Sequence, residues 1–302
     1  MVGHMDDERN LEQERSQPRG EALQSLLSAE LQRRRSQYRP LGRPGPKKYN
    51  GRVMVLLVLA ASVAVFPGVF LLAGSGCWGS GSRQSNQSGR PSIALVDQLA
   101  IESPNPGFVQ SVNSSASAAG YRFDYYPPKS ATVDFFVQFP RLGYSIIILR
   151  THGAGLVSTD PTVIATSDEY SQSSRVTDQL LNRLTTVSVN GTRFFALTPD
   201  FIKSSMCGHF PGTVVLTMYC EGAQQVLLAK AFIDKGAGAY VGWNGLVTVS
   251  HTDLVFETLV KALLDGNTVA SSVQSVTAAL GADPIYGSQL RYYPTAQGGW
   301  SS

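Results

Sequence analysis

The chain of 302 residues has little cysteine and little charge, with three cysteines and 16% charged residues. Cys77, Cys207 and Cys220 cannot build the disulfide framework that holds small secreted domains together. The chain must therefore rely on a hydrophobic core, and the roughly 200 residues of its C-terminal part are enough to bury one.

Acidic residues are missing from residues 33–52, which contain eight Lys or Arg, and charge of either sign is missing from Val53–Ala73. An apolar run of about 20 residues is long enough to cross the hydrocarbon core of a bilayer. The positive-inside rule then assigns the basic side to the cytoplasm. We therefore predict a cytoplasmic basic tail over 1–52, a single transmembrane helix over 53–74, and an extracytoplasmic remainder at the cell membrane.

Two possibilities for the cysteines stay open, one an alternative to the transmembrane anchor and one a disulfide. Cys77 follows the apolar run among small residues, as lipidation sites do, although the long leading tail is unlike an ordinary signal peptide. An oxidising compartment would also permit a disulfide between Cys207 and Cys220. The basic run is better explained by anionic lipid than by nucleic acid, because aromatic residues are not interleaved with it.

Residues 75–91 are rich in Gly and Ser and predict a flexible linker. From Ser92 onward, short apolar runs alternate with helical patterns, which predicts an α/β domain with a mostly parallel central sheet over 92–290, followed by a C-terminal tail over 291–302. The predicted strands are 92–96, 121–126, 144–150, 161–167, 213–218 and 238–243, with a hairpin over 186–197 turning at Asn190-Gly191. The predicted helices are 107–119, 131–139, 175–184, 199–206, 224–235, 253–264 and 268–280.

Two of these strands end in residues with catalytic potential. His152-Gly153 follows the apolar run YSIIILR, and Cys220 follows the run TVVLTM with one residue between. Open α/β sheets carry their sites at the carboxyl ends of their strands. A distant histidine and cysteine brought together there would form a thiol–imidazole dyad.

The segments around this pair resemble the caspase-like cysteine peptidases, and gingipain-type and CHAT-type domains in particular. The resemblance lies in five short motifs of similar order, namely Thr151-His152-Gly153, Tyr219-Cys220-Glu221-Gly222, Leu228-Ala229-Lys230-Ala231-Phe232, Lys235-Gly236-Ala237 and Val241-Gly242-Trp243. It implies a three-layer caspase-like sandwich, His152 as general acid/base and Cys220 as nucleophile. It also implies that the backbone amides of Gly153 and Cys220 stabilise the oxyanion.

Other polar residues near the predicted strand ends are candidates for a substrate cleft. They are Glu221, Trp243, Asn244, His251 and Asp253. His209 and His251 are alternative bases. Cys207, His209, Cys220 and His251 have no spacing that fits a zinc finger, so we predict no metal site and no cofactor.

The sequence thus predicts a membrane-anchored extracytoplasmic cysteine peptidase. Its predicted partners are a peptide or protein substrate and the membrane, and we predict no binding to nucleic acid. The main alternative is a catalytically inactive sensor or scaffold, because Met218 and Tyr219 are bulky residues directly before Cys220. A structural protein of the cell envelope is a weaker alternative, supported only by the anchor and the polar, Gly-rich surface.

Overall fold

The computed structural model describes residues 89–155 and 162–294. Within these ranges the strands are β1 (Ser92–Asp97), β2 (Arg122–Tyr126), β3 (Ile146–Arg150), β4 (Gly153–Gly155), β5 (Thr162–Glu169), β6 (Leu184–Val189), β7 (Thr192–Leu197), β8 (Val214–Thr217), β9 (Ala239–Trp243) and β10 (Leu290–Tyr293). The helices are α1 (Pro106–Ala118), α2 (Val133–Gln138), α3 (Val176–Leu180), α4 (Pro199–Ser204), α5 (Val226–Asp234), α6 (Val249–Leu264) and α7 (Val269–Leu280).

The main sheet has six strands in the order β10-β9-β8-β3-β1-β2. All neighbours pair in parallel except β10, which runs antiparallel to β9. The residues of β1 and β3 are buried throughout, as expected for central strands covered on both faces. The predicted α/β domain with a mostly parallel central sheet is confirmed.

Helices cover both faces of this sheet. Side chains of β1 and β3 alternate between two hydrophobic cores, so that Ile146 and Ile148 join one core and Ile147 and Leu149 the other. The first core contains buried residues of α1, α6 and α7, and the second contains those of α2, α4 and α5. We call these the α6 face and the α5 face.

A second sheet has four strands in the order β4-β5-β7-β6 and is antiparallel. Its β6–β7 hairpin turns at Asn190 and Gly191, both with positive φ, so the predicted turn is confirmed. β4 begins directly after His152, so this sheet starts at the carboxyl end of β3.

Several elements differ from the prediction. α6 begins at Val249 rather than at residue 253, and Asp283 holds its N-cap residue by accepting the N–H of Thr248. α3 ends at Leu180, since the chain from Leu184 pairs with β7 instead. β10 was missed and extends the folded domain past residue 290. Its four residues pair antiparallel with β9, and Leu290 is buried in the core of the α6 face.

The predicted transmembrane segment 53–74, the basic tail 1–52 and Cys77 lie outside the described residues, as does nearly all of the linker. In residues 89–155 and 162–294, no helix is long and apolar enough to span a membrane.

Candidate functional site

The candidate site lies where two neighbouring strands end. β3 and β8 pair in parallel, with Leu149 opposite Thr217 at the last paired position. His152 is the third residue after Leu149, and Cys220 is the third residue after Thr217. The structure therefore brings His152 and Cys220 to the same edge of the main sheet, at matching positions beyond the two strands.

The backbone of His152 is fixed on both sides. Its N–H donates to Oε1 of the buried Gln98 at 3.0 Å, and its carbonyl oxygen accepts from the N–H of Ala165 at 2.9 Å. Nε2 of the imidazole lies 3.3 Å from Oε2 of Glu102, and the two side chains are 32% and 30% exposed. Nε2 makes no hydrogen bond within the described residues. Glu102 is therefore an electrostatic partner that pairs with the imidazole when the ring is protonated.

Glu102 is the site residue that the sequence analysis missed. It follows the 3-10 helix Gln98–Ile101, which begins directly after β1. β1 is the neighbour of β3 in the sheet, so this loop lies beside the His152 loop. No motif surrounds Glu102 in the sequence, and only the strand order reveals its position.

Cys220 is a free thiol, and its Sγ donates to the carbonyl oxygen of Val247 at 3.7 Å. Burial raises the pKa of the thiol above its ordinary value. Cys220 is therefore uncharged at neutral pH and needs a base to become a nucleophile. Cys207 is disulfide-bonded whereas Cys220 is free, so the Cys207–Cys220 disulfide that the sequence left open is not formed.

The side chains of the residues that follow β8 point alternately to the two faces of the main sheet. Tyr219 belongs to the core of the α5 face, whereas Met218 and Cys220 pack on the α6 face. Of the two bulky residues before Cys220, Tyr219 therefore faces away from the thiol, whereas Met218 lies on the same face. The Tyr219 ring instead packs against two glycines, because a Cβ added to Gly153 would lie 2.2 Å from Cδ2 and one added to Gly222 would lie 3.1 Å from Cε2.

Two backbone amides beside His152 and Cys220 have no partner in a strand ladder. Gly153 lies opposite Ile164 in the β4–β5 ladder. The ladder bond runs through the neighbouring residues, from the N–H of Ala165 to the carbonyl of His152, so Gly153 and Ile164 themselves form a non-hydrogen-bonded pair. The N–H of Gly153 therefore points away from β5. The N–H of Cys220 donates to no backbone carbonyl of the described residues. These are the two amides expected from the resemblance to stabilise an oxyanion.

Glu221 turns the chain sharply after Cys220. Its φ of 62° lies in the left-handed region, which costs a residue with a side chain about 1–3 kcal/mol at such sites. Two contacts hold it there, because its N–H donates to Gly245 O at 2.8 Å and its carbonyl accepts from Thr162 Oγ1 at 2.9 Å. The strained turn fixes the direction of the backbone next to the thiol.

Two of the predicted cleft residues are buried. Trp243 is fully buried, and its Nε1 donates to Thr252 Oγ1 at 2.9 Å. Asp253 is 6% exposed and pairs with the buried Arg150 at 2.7 Å. These side chains have structural partners and do not line an open cleft, which corrects the prediction for both.

The other predicted cleft residues are half-buried. Asn244 accepts the N–H of Gln289 at 2.7 Å and thereby ties the end of β9 to the start of β10. The ring of His251 lies 5.4 Å from that of Trp243, and its Nε2 is buried without a hydrogen bond in the described part of the chain. His251 starts α6 on the same face as Cys220, whereas His209 lies exposed in the loop between α4 and β8.

The residues considered for a zinc site are not brought together. Cys207 is committed to a disulfide. Among the residues that the structure describes, no group of three His, Cys, Asp or Glu side chains is placed to hold a metal ion.

Asp283 stabilises the segment that contacts the thiol. It accepts the N–H and the hydroxyl of Thr248, both at 2.8 Å, and the N–H groups of Ile285 and Tyr286 at 3.0 and 2.8 Å. Burial raises the pKa of Asp283, but these hydrogen bonds more than offset it and the pKa is lowered. A carboxylate with a lowered folded-state pKa stabilises the fold above its unfolded pKa, and this contribution is lost as the pH falls through the folded value.

We expect Asp283→Asn to lower the free energy of unfolding by about 1–3 kcal/mol at pH 7, because part of this buried hydrogen-bond set is lost. The difference from wild type should begin to shrink below about pH 4, the usual value for an aspartate in an unfolded chain, and shrink further as the pH falls through the lowered folded-state pKa of Asp283. Urea unfolding at pH 7 and pH 3 measures both effects. The exposed Asp265→Asn serves as the control, and an equal loss for Asp283→Asn at both pH values would contradict the assignment.

Compared with models of known protein families and with curated proteins, the chain matches none.

Proposed function

We propose that this chain is a membrane-anchored, extracytoplasmic cysteine peptidase of caspase-like fold that hydrolyses peptide bonds with His152 and Cys220. The observation that carries the proposal is the matched placement of these residues beyond the paired ends of β3 and β8. A free thiol, an imidazole with a carboxylate partner and two backbone amides outside the strand ladders, all at one sheet edge, fit the chemistry of acyl transfer.

The proposed reaction begins with proton transfer from the Cys220 thiol to His152. This step is required because burial keeps the thiol protonated at neutral pH. The thiolate then attacks the carbonyl carbon of the scissile peptide bond, and a tetrahedral oxyanion forms. The N–H groups of Gly153 and Cys220 stabilise its developing charge.

The imidazolium next donates its proton to the leaving amine, and the carbon–nitrogen bond breaks to leave a thioester on Cys220. Water, deprotonated by His152, hydrolyses the thioester and restores the thiol. Glu102 stabilises the imidazolium in both half-reactions, because its carboxylate lies 3.3 Å from Nε2. It takes the role of the orienting third residue of a triad.

The location proposed for this activity rests on the sequence of residues 1–88. The basic segment 33–52 next to the uncharged Val53–Ala73 favours a span with the C-terminal domain outside the cytoplasm. The Gly/Ser-rich linker then places the catalytic domain at the outer surface on a flexible tether.

A catalytically inactive sensor or scaffold is the second candidate, and one observation favours it. The Cys220 thiol donates to the carbonyl of Val247, and burial raises its pKa. Burial is the larger effect on this pKa, and it favours the thiol over the reactive thiolate. In a scaffold, this thiol would be a packed core residue without turnover.

Labelling with peptidyl electrophiles separates the two functions. The full chain, purified in detergent, is treated with a set of peptidyl acyloxymethyl ketones that differ in the residue next to the warhead. We expect covalent attachment at Cys220 for at least one member and none in Cys220→Ala. Cys207 is an internal control, because its sulfur is in a disulfide.

Iodoacetamide provides the matched reference for simple thiol accessibility. If Cys220 reacts with iodoacetamide but with no peptidyl reagent, and His152→Ala leaves the iodoacetamide rate unchanged, the scaffold is favoured and the peptidase is ruled out. Mass spectrometry of the labelled peptide identifies the modified residue in each case.

A further inference from the structure

A buried ion cluster lies next to the candidate dyad, and the proposed chemistry does not use it. The guanidinium of Arg150 is fully buried and pairs with Asp97 at 2.8 Å and with Asp253 at 2.7 Å. A second bond to Asp253, from Nη2 at 2.9 Å, makes that pair bidentate. We call Asp97, Arg150 and Asp253 the buried charge cluster.

Burial of three charged groups is on general grounds a poor way to stabilise a fold. Taking three charges out of water costs more than their mutual attraction usually returns, and apolar side chains of similar size often serve as well or better. With both carboxylates ionised the cluster carries one net negative charge. Burial also raises the pKa of Asp97 despite its contact with Arg150, which shows that desolvation opposes the charge here.

The cluster instead joins the segments that carry the site. Asp97 ends β1, Arg150 ends β3, and Asp253 lies in the first turns of α6. Nη2 of Arg150 also donates to the carbonyl of Ser103 at 2.8 Å, which holds the residue directly after Glu102.

Both residues of the His152–Glu102 contact are thus close to Arg150 along the chain or through a hydrogen bond. Glu102 directly precedes Ser103, whose carbonyl oxygen accepts from Arg150. His152 follows Arg150 by two residues on the same chain segment. Asn105, just beyond Ser103, donates its side-chain amide to Asp253 Oδ2 at 2.9 Å. One planar side chain therefore fixes the separation of the two loops.

We propose that Arg150 is a positioning residue that holds the Glu102 loop against the His152 loop, with Asp97 and Asp253 as its fixed anchors. The proposal rests on the peptidase function proposed above. Arg150 makes no contact with the substrate. It acts by keeping the carboxylate within reach of the imidazole when the ring becomes charged, so its removal lowers turnover more than substrate binding.

The test replaces the cluster by neutral side chains of similar shape in the full chain, as Asp97→Asn/Arg150→Met/Asp253→Asn. No buried charge is left unpaired, so we expect the urea unfolding midpoint to change little. We expect kcat for a fluorogenic peptide to fall at least tenfold while KM stays within about twofold. Arg175→Met is the matched control, since it removes a surface Arg–Asp contact of 2.7 Å, and it should leave both constants unchanged.

Arg150→Lys decides the question if the triple variant does not fold. Lysine keeps the charge but cannot reproduce the fork that reaches Asp97, Asp253 and Ser103 together, so we again expect a lower kcat with a similar KM. A folded triple variant, or Arg150→Lys, with the kcat of an active wild type would overturn the inference. A wild type without turnover or peptidyl labelling overturns the peptidase proposal itself, which is a different result.

Discussion

Alanine in place of His152 is expected to lower kcat for peptide hydrolysis by about 10²–10⁴-fold, the usual contribution of a positioned acid or base. The loss should be large because burial keeps the Cys220 thiol protonated, so that no thiolate is available without a base. KM should change little, since the imidazole acts on the thiol and the leaving amine. The measurement is steady-state hydrolysis of the best fluorogenic peptide from a library screen.

The loss of kcat in His152→Ala is compared with that of three other variants. Glu102→Gln keeps the size of the side chain but removes the charge 3.3 Å from Nε2, and we expect a loss of about tenfold, smaller than that of the base itself. His209→Ala changes an exposed loop residue and should have no effect. If His251→Ala costs more than His152→Ala, the base has been assigned to the wrong histidine.

Gly153→Ala is expected to destabilise the domain by about 3 kcal/mol, the upper end of the usual cost of overpacking, and to remove activity with it. The new methyl group would lie 2.2 Å from Cδ2 and 2.7 Å from Cγ of Tyr219. Overpacking in a well-filled core costs about 1–3 kcal/mol, and the Tyr219 ring has little freedom to move. It is buried, and its hydroxyl is hydrogen-bonded to that of Tyr240 at 2.9 Å.

A double-mutant cycle tests the cause of this destabilisation. In a Tyr219→Ala background the clash is absent, so the added change Gly153→Ala should cost almost nothing, although the cavity left by the ring lowers the stability of both variants. Gly107→Ala is the control, because its methyl group meets nothing closer than 3.4 Å. An additive cycle, with the same cost for Gly153→Ala in both backgrounds, would show that the ring is not responsible.

The sequence was sufficient for the parts of the fold that depend on local pattern. The apolar runs that became β1, β3, β8 and β9 were identified because central strands leave continuous β-branched stretches. His152 and Cys220 were found for the same reason, since each follows such a run. The start of α6 was misplaced, and the residue that holds its N-cap, Asp283, lies 35 residues from Thr248 in the chain.

The supporting residues of the site were beyond sequence reasoning for a physical reason. Asp97 and Asp253 are separated from Arg150 by 53 and 103 residues, and the pairing of β1 with β3 and the packing of α6 on the sheet bring them together. Arg150 itself left a signal, because a charged residue inside a buried strand run must find a partner. The sequence showed the need for that partner but not its position.

The parallel pairing of β3 with β8 has a consequence for how the dyad can fail. A slip of one residue between two strands moves every side chain to the opposite face. Cys220 would then change places with Tyr219, which packs on the α5 face, or with Glu221. An error in strand pairing would therefore move the thiol to another face, rather than change its distance from the imidazole slightly. The ladder between β3 and β8 therefore decides which face of the sheet each of the two side chains takes, and its last pair, Leu149 with Thr217, lies three residues before His152 and Cys220.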